Sequence, residues 1–228
     1  MTSRMMMNEE IPILTIDGPS GAGKGTVSRA IAHQLGWHFL DSGAIYRALG
    51  VAVTAQSISL DDMEAIARVA ETMDLRFEPA DPPRVLLQDW DITDQIPTEA
   101  ICNTASKIAA LGPVRRALLQ KQREFRRTPG LVADGRDMGS VVFPDARYKI
   151  FLTASSEVRA RRRYKQLKEK GITATLDHLT KEIEDRDRRD RERVEAPLVI
   201  AEGSVVIDSS ALTIEQVIAR CLEAVSSP

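Results

Sequence analysis

Aromatic residues make up only 4% of this 228-residue chain, and cysteine occurs twice, at Cys102 and Cys221. So few aromatics argue against a surface that grips single-stranded nucleic acid by stacking its bases. The two cysteines lie far apart, with no CxxC spacing and no neighbouring histidine cluster. Neither a zinc module nor a disulfide framework is suggested, and both thiols are expected to be buried apolar fillers. No stretch approaches the ~20 apolar residues that span a bilayer. Residues 1–10 carry a single Arg4 with no apolar run behind it, so neither a membrane anchor nor an export signal is expected, and the location read from the sequence is cytoplasmic. Net charge is −2, from 31 basic and 33 acidic residues. That balance argues against a stable nucleic-acid or membrane partner and leaves room only for local basic clusters.

What the chain does contain is a phosphate cradle. A β-branched apolar run from Ile11 to Ile16 ends at Asp17. Gly18, Pro19, Ser20, Gly21, Ala22, Gly23, Lys24, Gly25 and Thr26 follow, and Val27 to Leu35 then shows helical apolar spacing. Strand, glycine loop and helix in that order let several backbone N–H groups point inward at one anion. The helix adds its positive N-terminal end, and Lys24 reaches the β- and γ-phosphates. The loop departs from the usual pattern at Gly25, where a serine or threonine would meet Mg2+. The hydroxyl comes one residue later, so Thr26, directly or through water, is the candidate metal contact.

Four more short apolar runs, at 37–40, 131–133, 149–152 and 204–208, alternate with helical patterns. Five strands separated by helices predict an α/β core with a central parallel sheet. Helices are expected over 44–54, 60–73, 99–110 with Pro97 at its first position, 114–127 after a break at Gly112-Pro113, 157–170 capped by Ser155 or Ser156, 175–192 and 213–224. Three strand-like pieces, 75–77, 84–87 and 90–93, are separated by Pro79, Asp81-Pro82-Pro83 and Asp89 and predict a small antiparallel insertion. His33 and His38 stand apart from any carboxylate or cysteine pattern and read as packing or surface residues.

Two further stretches carry chemistry. Asp134-Gly-Arg136-Asp137-Met-Gly139 follows an apolar strand, which puts it at the carboxyl edge of the sheet, where open α/β folds bind ligands. In the Arg-rich hairpin from Arg159 to Arg193, helical spacing aligns Arg186, Arg189, Asp190 and Arg193 on one stripe. Such a stripe suits phosphates and a ribose hydroxyl. It equally suits a salt-bridged solvent face, because Glu182, Glu184, Asp185, Asp187 and Glu192 are interleaved. An RNA-binding helix is weakened by the same acids.

Taken together, Gly18 to Thr26, Leu40-Asp-Ser42-Gly-Ala-Ile-Tyr-Arg47, Ala133 to Gly139 with Val141-Val-Phe-Pro-Asp145, and Arg186 to Arg193 followed by Ala196-Pro-Leu198 resemble the bacterial cytidylate kinases. These belong to the nucleoside monophosphate kinase group, in which Gly25-Thr26 is the usual form of the loop. The resemblance runs from Ile11 to the last helix. It implies a P-loop kinase with a core of residues 11–42, 98–155 and 195–228, a monophosphate-binding region of residues 43–97 and a helical lid of residues 156–194, after a tail of residues 1–10. It implies that residues 18–26, with Arg159 and Arg163 from the lid, hold ATP, and that Lys24, Arg136, Arg162 and Arg193 serve the transfer itself. It places Ser42, Arg47, Ser106, Arg115, Arg136, Asp137, Arg186, Asp190 and Arg193 around CMP. ATP, CMP and dCMP are then the small-molecule partners, Mg2+ the metal, and a monomer the expected state. Two other readings stay open: a P-loop kinase for another acceptor, and a nucleotide-dependent switch. The chain has no Asn-Lys-x-Asp guanine-reading stretch to support the switch.

Overall fold

The computed structural model describes residues 11–78, 84–169 and 171–226. The expected tail 1–10 and the proline-rich turn at 79–83 lie outside them. β1 (Ile13–Asp17) is buried along its whole length, as an unbroken apolar run requires of a strand covered on both faces. It pairs with β6 (Leu131–Gly135) on one side and β7 (Tyr148–Thr153) on the other. β2 (His38–Asp41) and β8 (Val205–Asp208) complete a five-stranded sheet that is parallel throughout among the described residues. The register sets Asp17 opposite Gly135 and Asp41 opposite Asp134, so adjacent strand ends bring carboxylates to one edge.

Parallel neighbours need long crossovers, and helices supply them. Ile13 points to one face of the sheet, into a core with Leu40, Ile45, Leu49, Ile108 and Leu118. Leu14 and Ile16 point to the other, with Ile31, Val132, Ile150 and Leu152. Each such side chain contributes roughly 1.5–3 kcal/mol by burial. Helix α1 (Lys24–Leu35) follows the glycine loop, and α8 (Ile214–Ser226) packs beside it on the second core.

The first core is capped by α2 (Ser42–Ala55) and α3 (Met63–Thr72), then by α4 (Glu99–Ile108) and α5 (Gly112–Arg123). Between α3 and α4 lies the expected antiparallel insertion, with β3 (Leu75–Glu78), β4 (Arg84–Leu87) and β5 (Trp90–Asp91) in that order. Helices α6 (Ser156–Glu169) and α7 (Leu176–Arg191) form a hairpin with its own small core of Ala160, Leu167 and Leu179. No described helix is long and apolar enough to cross a membrane.

Several local expectations change. Thr98 is the residue flanking α4, so Pro97 stands outside the helix rather than at its first position. Gly112-Pro113 opens α5 instead of merely interrupting the chain, because a first-turn proline sacrifices no helical hydrogen bond. Ser155, not Ser156, caps α6: its Oγ accepts from the Val158 N–H at 3.3 Å. Cys221 is fully buried, its thiol pushed up to about 12 by burial. Cys102 is only half-buried on α4, so the filler reading holds for one cysteine. A π-helical turn, Met138–Val142, follows β6 where no element was expected.

Candidate active site

The cradle forms because its glycines take conformations other residues avoid. Gly18 has φ 147°, and a Cβ there would lie 1.9 Å from the Leu152 carbonyl oxygen, so the loop can pass this close to β7 only without a side chain. Gly23 flanks α1 with φ 98°; no side chain caps the helix and no acid occupies its first turn. Its N-terminal N–H groups and dipole are therefore left to an anion.

Lys24 is 6% exposed and donates to the Pro19 carbonyl at 3.0 Å, with the Asp134 carboxylate 3.9 Å away. Burial, with Arg136 as the next cause, lowers its pKa to about 7. Asp17 moves the other way, up to about 7, chiefly through burial, although its two oxygens accept from the N–H groups of Met138 (2.9 Å) and Gly139 (2.8 Å). The π-helical turn thus begins on a carboxylate. Gly139 is needed there, because a Cβ would lie 2.8 Å from Thr15 Oγ1. Asp134 is raised to about 6, again mainly by burial, with Lys24 opposing.

The departure at Gly25 finds its complement in Asp134. A Cβ at Gly25 would lie 3.4 Å from Asp134 Oδ2, so this carboxylate occupies the neighbourhood where the usual loop would place a hydroxyl. Oxygen donors suit Mg2+, and Asp134 fits as a ligand for it, directly or through water. Thr26 is exposed, in a surface depression shared with Gly25, Arg29, Ala30 and His33.

Beyond the end of β6 the balance of charge reverses. Asp190 is 1% exposed; one of its oxygens accepts from Arg136 Nε at 2.9 Å and the other from Arg193. Burial would raise the Asp190 pKa, but Arg136, Arg193 and Arg186 outweigh it and keep the carboxyl below its usual range. Arg186 is lowered to about 10, first by burial and then by Arg136. The Nε atoms of Arg186 and Arg193 and the Ser106 hydroxyl are buried without hydrogen-bond partners. Buried donors of this kind cost about 1–3 kcal/mol each when left unmet, and together with surplus positive charge they describe a place for an anion. Arg47 approaches from α2, held at 2.9 Å by Asp41, whose other oxygen caps that helix at Ala44.

Arg115, Asp137, Ser42 and Tyr46 line a second buried corner. Arg115 pairs with Asp137, donates to the Ala109 carbonyl at 3.2 Å and lies 5.8 Å above the Tyr46 ring. Burial raises the Asp137 pKa, while Arg115, Arg193 and Arg136 oppose it. The Ser42 hydroxyl donates to Gln122 at 2.8 Å.

The lid arginines divide. Arg159 is buried; it donates to both oxygens of Asp187 (3.0 and 2.6 Å), to the Ser20 carbonyl (3.1 Å) and to Ala154 (2.9 Å). Its donors are engaged in tying the hairpin to the outer side of the glycine loop. Arg162 likewise meets the Ala22 carbonyl at 3.3 Å and Ser209 at 2.7 and 3.1 Å. Arg163 is half-buried near Glu182. Of the predicted stripe, Arg186, Asp190 and Arg193 turn into the cleft, whereas Arg189 donates back to the Asp185 carbonyl of its own helix at 3.3 Å. The structure thus joins the ligand-facing reading to the solvent-facing one, residue by residue. Asp17, Asp134, Gln122 and Tyr46 were not singled out as site residues from the sequence. The two acids lie at the ends of parallel strands, a signal that was available; Tyr46 sat within the Leu40–Arg47 motif without an assigned role, and Gln122 offered no signal.

A glycine loop between a central parallel strand and a helix, a lysine at its rim and an arginine-lined anion pocket at the same sheet edge define a P-loop phosphotransferase. Its family follows from comparison with known proteins. The Cytidylate kinase family model matches residues 14–227. The cytidylate kinase of Methylococcus capsulatus is 63% identical over 221 residues, spanning 97% of this chain and 100% of its own length. Those of Edwardsiella ictaluri (53% identity, 95% and 96% coverage) and Marinomonas sp. (55%, 91% and 92%) are similar along nearly the same span. The chain belongs to the cytidylate kinase family.

Proposed function

We propose that the protein transfers the γ-phosphoryl group of MgATP directly, in line, to the 5′-phosphate of CMP or dCMP, giving CDP or dCDP and ADP. The observation that carries this reading is the set of unmet donors on Ser106, Arg186 and Arg193, together with a glycine loop whose helix has no side-chain cap. The acceptor is already an anion, so no strong general base is required. The work is to neutralise two polyanions and the charge spread over the transferred group. Lys24 and the backbone N–H groups from Gly18 to Thr26 take the β- and γ-phosphates. Arg47, Arg136 and Arg193 take the acceptor phosphate, while Ser106, Arg186 and Asp190 take the sugar hydroxyls. Asp134 and Thr26 would hold Mg2+, which supplies further charge neutralisation on the phosphate oxygens when bound.

Base selection falls to the second corner. Cytosine presents an N4 amino donor to Asp137 and Ser42, and its O2 and N3 acceptors to Arg115. Uracil offers O4 where the amino group should be and leaves an acceptor facing an acceptor. Residues 43–97 then act as the monophosphate-binding region and residues 156–194 as the lid, on a core made by the rest. Arg159 and Arg162 hold the loop in shape, and closure of the hairpin excludes water, the competing acceptor. A cytoplasmic monomer accords with this small-molecule role.

The deciding experiment is ADP release from MgATP with CMP, dCMP, UMP, AMP and GMP supplied in turn at equal concentration. Activity confined mainly to CMP and dCMP is expected. Stronger activity with another acceptor would keep the phosphate loop and discard the cytosine corner.

A further inference from the structure

Gln122 has no part in the reading above, yet it is 1% exposed and lies directly behind the base corner. Its Nε2 donates to the Leu118 carbonyl at 3.3 Å, and its Oε1 accepts from the Ser42 hydroxyl at 2.8 Å. These two bonds determine which end of the amide faces which neighbour. A carbonyl can only accept, so the amino end of Gln122 turns to Leu118 and the oxygen must turn to Ser42. The hydroxyl proton of Ser42 is thereby committed to Gln122. A serine hydroxyl has one proton to give and two lone pairs, so the face of Ser42 left toward the cleft is acceptor only.

We propose that Gln122 is a specificity-determining positioning residue: it makes Ser42 an obligate acceptor, and so turns a side chain that could serve either pyrimidine into one that favours an exocyclic amino group over a carbonyl. The inference rests on the cytosine reading above. Serine alone would not discriminate, because its hydroxyl rotates to suit its partner. Discrimination arises because rotation toward a uracil O4 would break the 2.8 Å bond to Gln122. The Tyr46 phenol also neighbours the Gln122 amide, its pKa pushed up to about 12 by burial, so it brings no negative charge to the corner at neutral pH.

The test replaces Gln122 with methionine, which keeps the length of the side chain and removes the acceptor. Leu118 lies one turn earlier on α5, so its carbonyl keeps its backbone partner and only the side-chain bond is lost. Gln122→Leu is the second apolar variant should methionine not fold. In Gln122→Met the Ser42 proton is free to meet a carbonyl, and the ratio of kcat/KM for UMP to that for CMP is expected to rise about tenfold, with KM for ATP unchanged. In a Ser42→Ala background the same substitution should leave that ratio where Ser42→Ala alone puts it. A purely structural role would lower Tm and both activities together without moving the ratio.

An unchanged ratio in Gln122→Met and Gln122→Leu overturns the proposal, as does a rise that survives the loss of Ser42. A wild-type enzyme with no preference for CMP over UMP would instead overturn the cytosine reading itself, and the two failures are distinct.

Discussion

The two sides of the cleft manage negative charge by opposite means. Around the glycine loop the cations are already engaged: Arg159 and Arg162 are bound to loop carbonyls, Asp187 and Ser209, while Lys24 is buried beside Asp134 and near Asp17, and burial pushes these last three toward their neutral forms. Around Asp190, guanidinium groups are in excess and keep a fully buried carboxyl ionised. On the proposed reading, the donor phosphates would be met by backbone geometry and an accompanying cation, and the acceptor phosphate by charge already in place. A nucleotide bound with its own metal would need less from the protein than a monophosphate that comes bare.

The largest test of that contrast is Lys24→Ala, which should lower kcat by several orders of magnitude while CMP binding by calorimetry stays near wild type. Near-normal turnover would overthrow the loop assignment. Next come Arg186→Ala and Arg193→Ala, expected to reduce kcat/KM for CMP about 100-fold with little change in KM for ATP, since each strips a partner from a buried charge cluster. Equal losses for both substrates would erase the distinction between the two sides. A smaller effect, about tenfold on CMP and less on UMP, is expected from Asp137→Ala. Unchanged efficiency with CMP would remove Asp137 from the base corner.

The smallest effect is a matter of protons. With its pKa lowered from 10.5 to about 7, ligand-free Lys24 is mostly neutral at pH 8, and a phosphate beside it restores the charge. Binding of metal-free ATP at pH 8 should therefore take up about one proton, measurable by calorimetry in buffers of different ionisation enthalpy. The stability sign follows from the same shift. A lysine whose folded pKa is depressed penalises the fold below pH 7 and ceases to do so as pH rises toward its unfolded value. The Tm advantage of Lys24→Met over wild type should accordingly shrink between pH 7 and 10; a constant difference would show that Lys24 keeps its charge throughout.

Much of the core was legible in sequence because parallel strands buried on both faces appear as unbroken apolar runs, as at Ile13 to Ile16. The glycine loop was legible because its conformations leave few residue choices at Gly18 and Gly23. What escaped depends on register and on elements meeting at a distance. Asp134 beside Gly25 exists only because β6 pairs with β1, and Arg159 meets Asp187 only after α6 and α7 fold against each other. The family resemblance implied Arg159 as an ATP contact; its partners in the folded chain are a carboxylate and two carbonyls. Gln122 reads as one more polar residue on a basic helix until Ser42 is brought to it.

One strand end serves both sides of the cleft. Within four residues β6 and the turn after it present Asp134 to the lysine and Arg136 and Asp137 to the acceptor side, and Arg136 is the strongest electrostatic neighbour depressing the Lys24 pKa. Charge placed on either side is therefore felt on the other. On the proposed reading, a monophosphate set against Arg136 would offset its repulsion of Lys24 and favour the protonated amine. By thermodynamic reciprocity, any such preference would act by the same factor in the other direction. The short spacing along β6 thus ties the charge state of Lys24 to the charge gathered around Arg136.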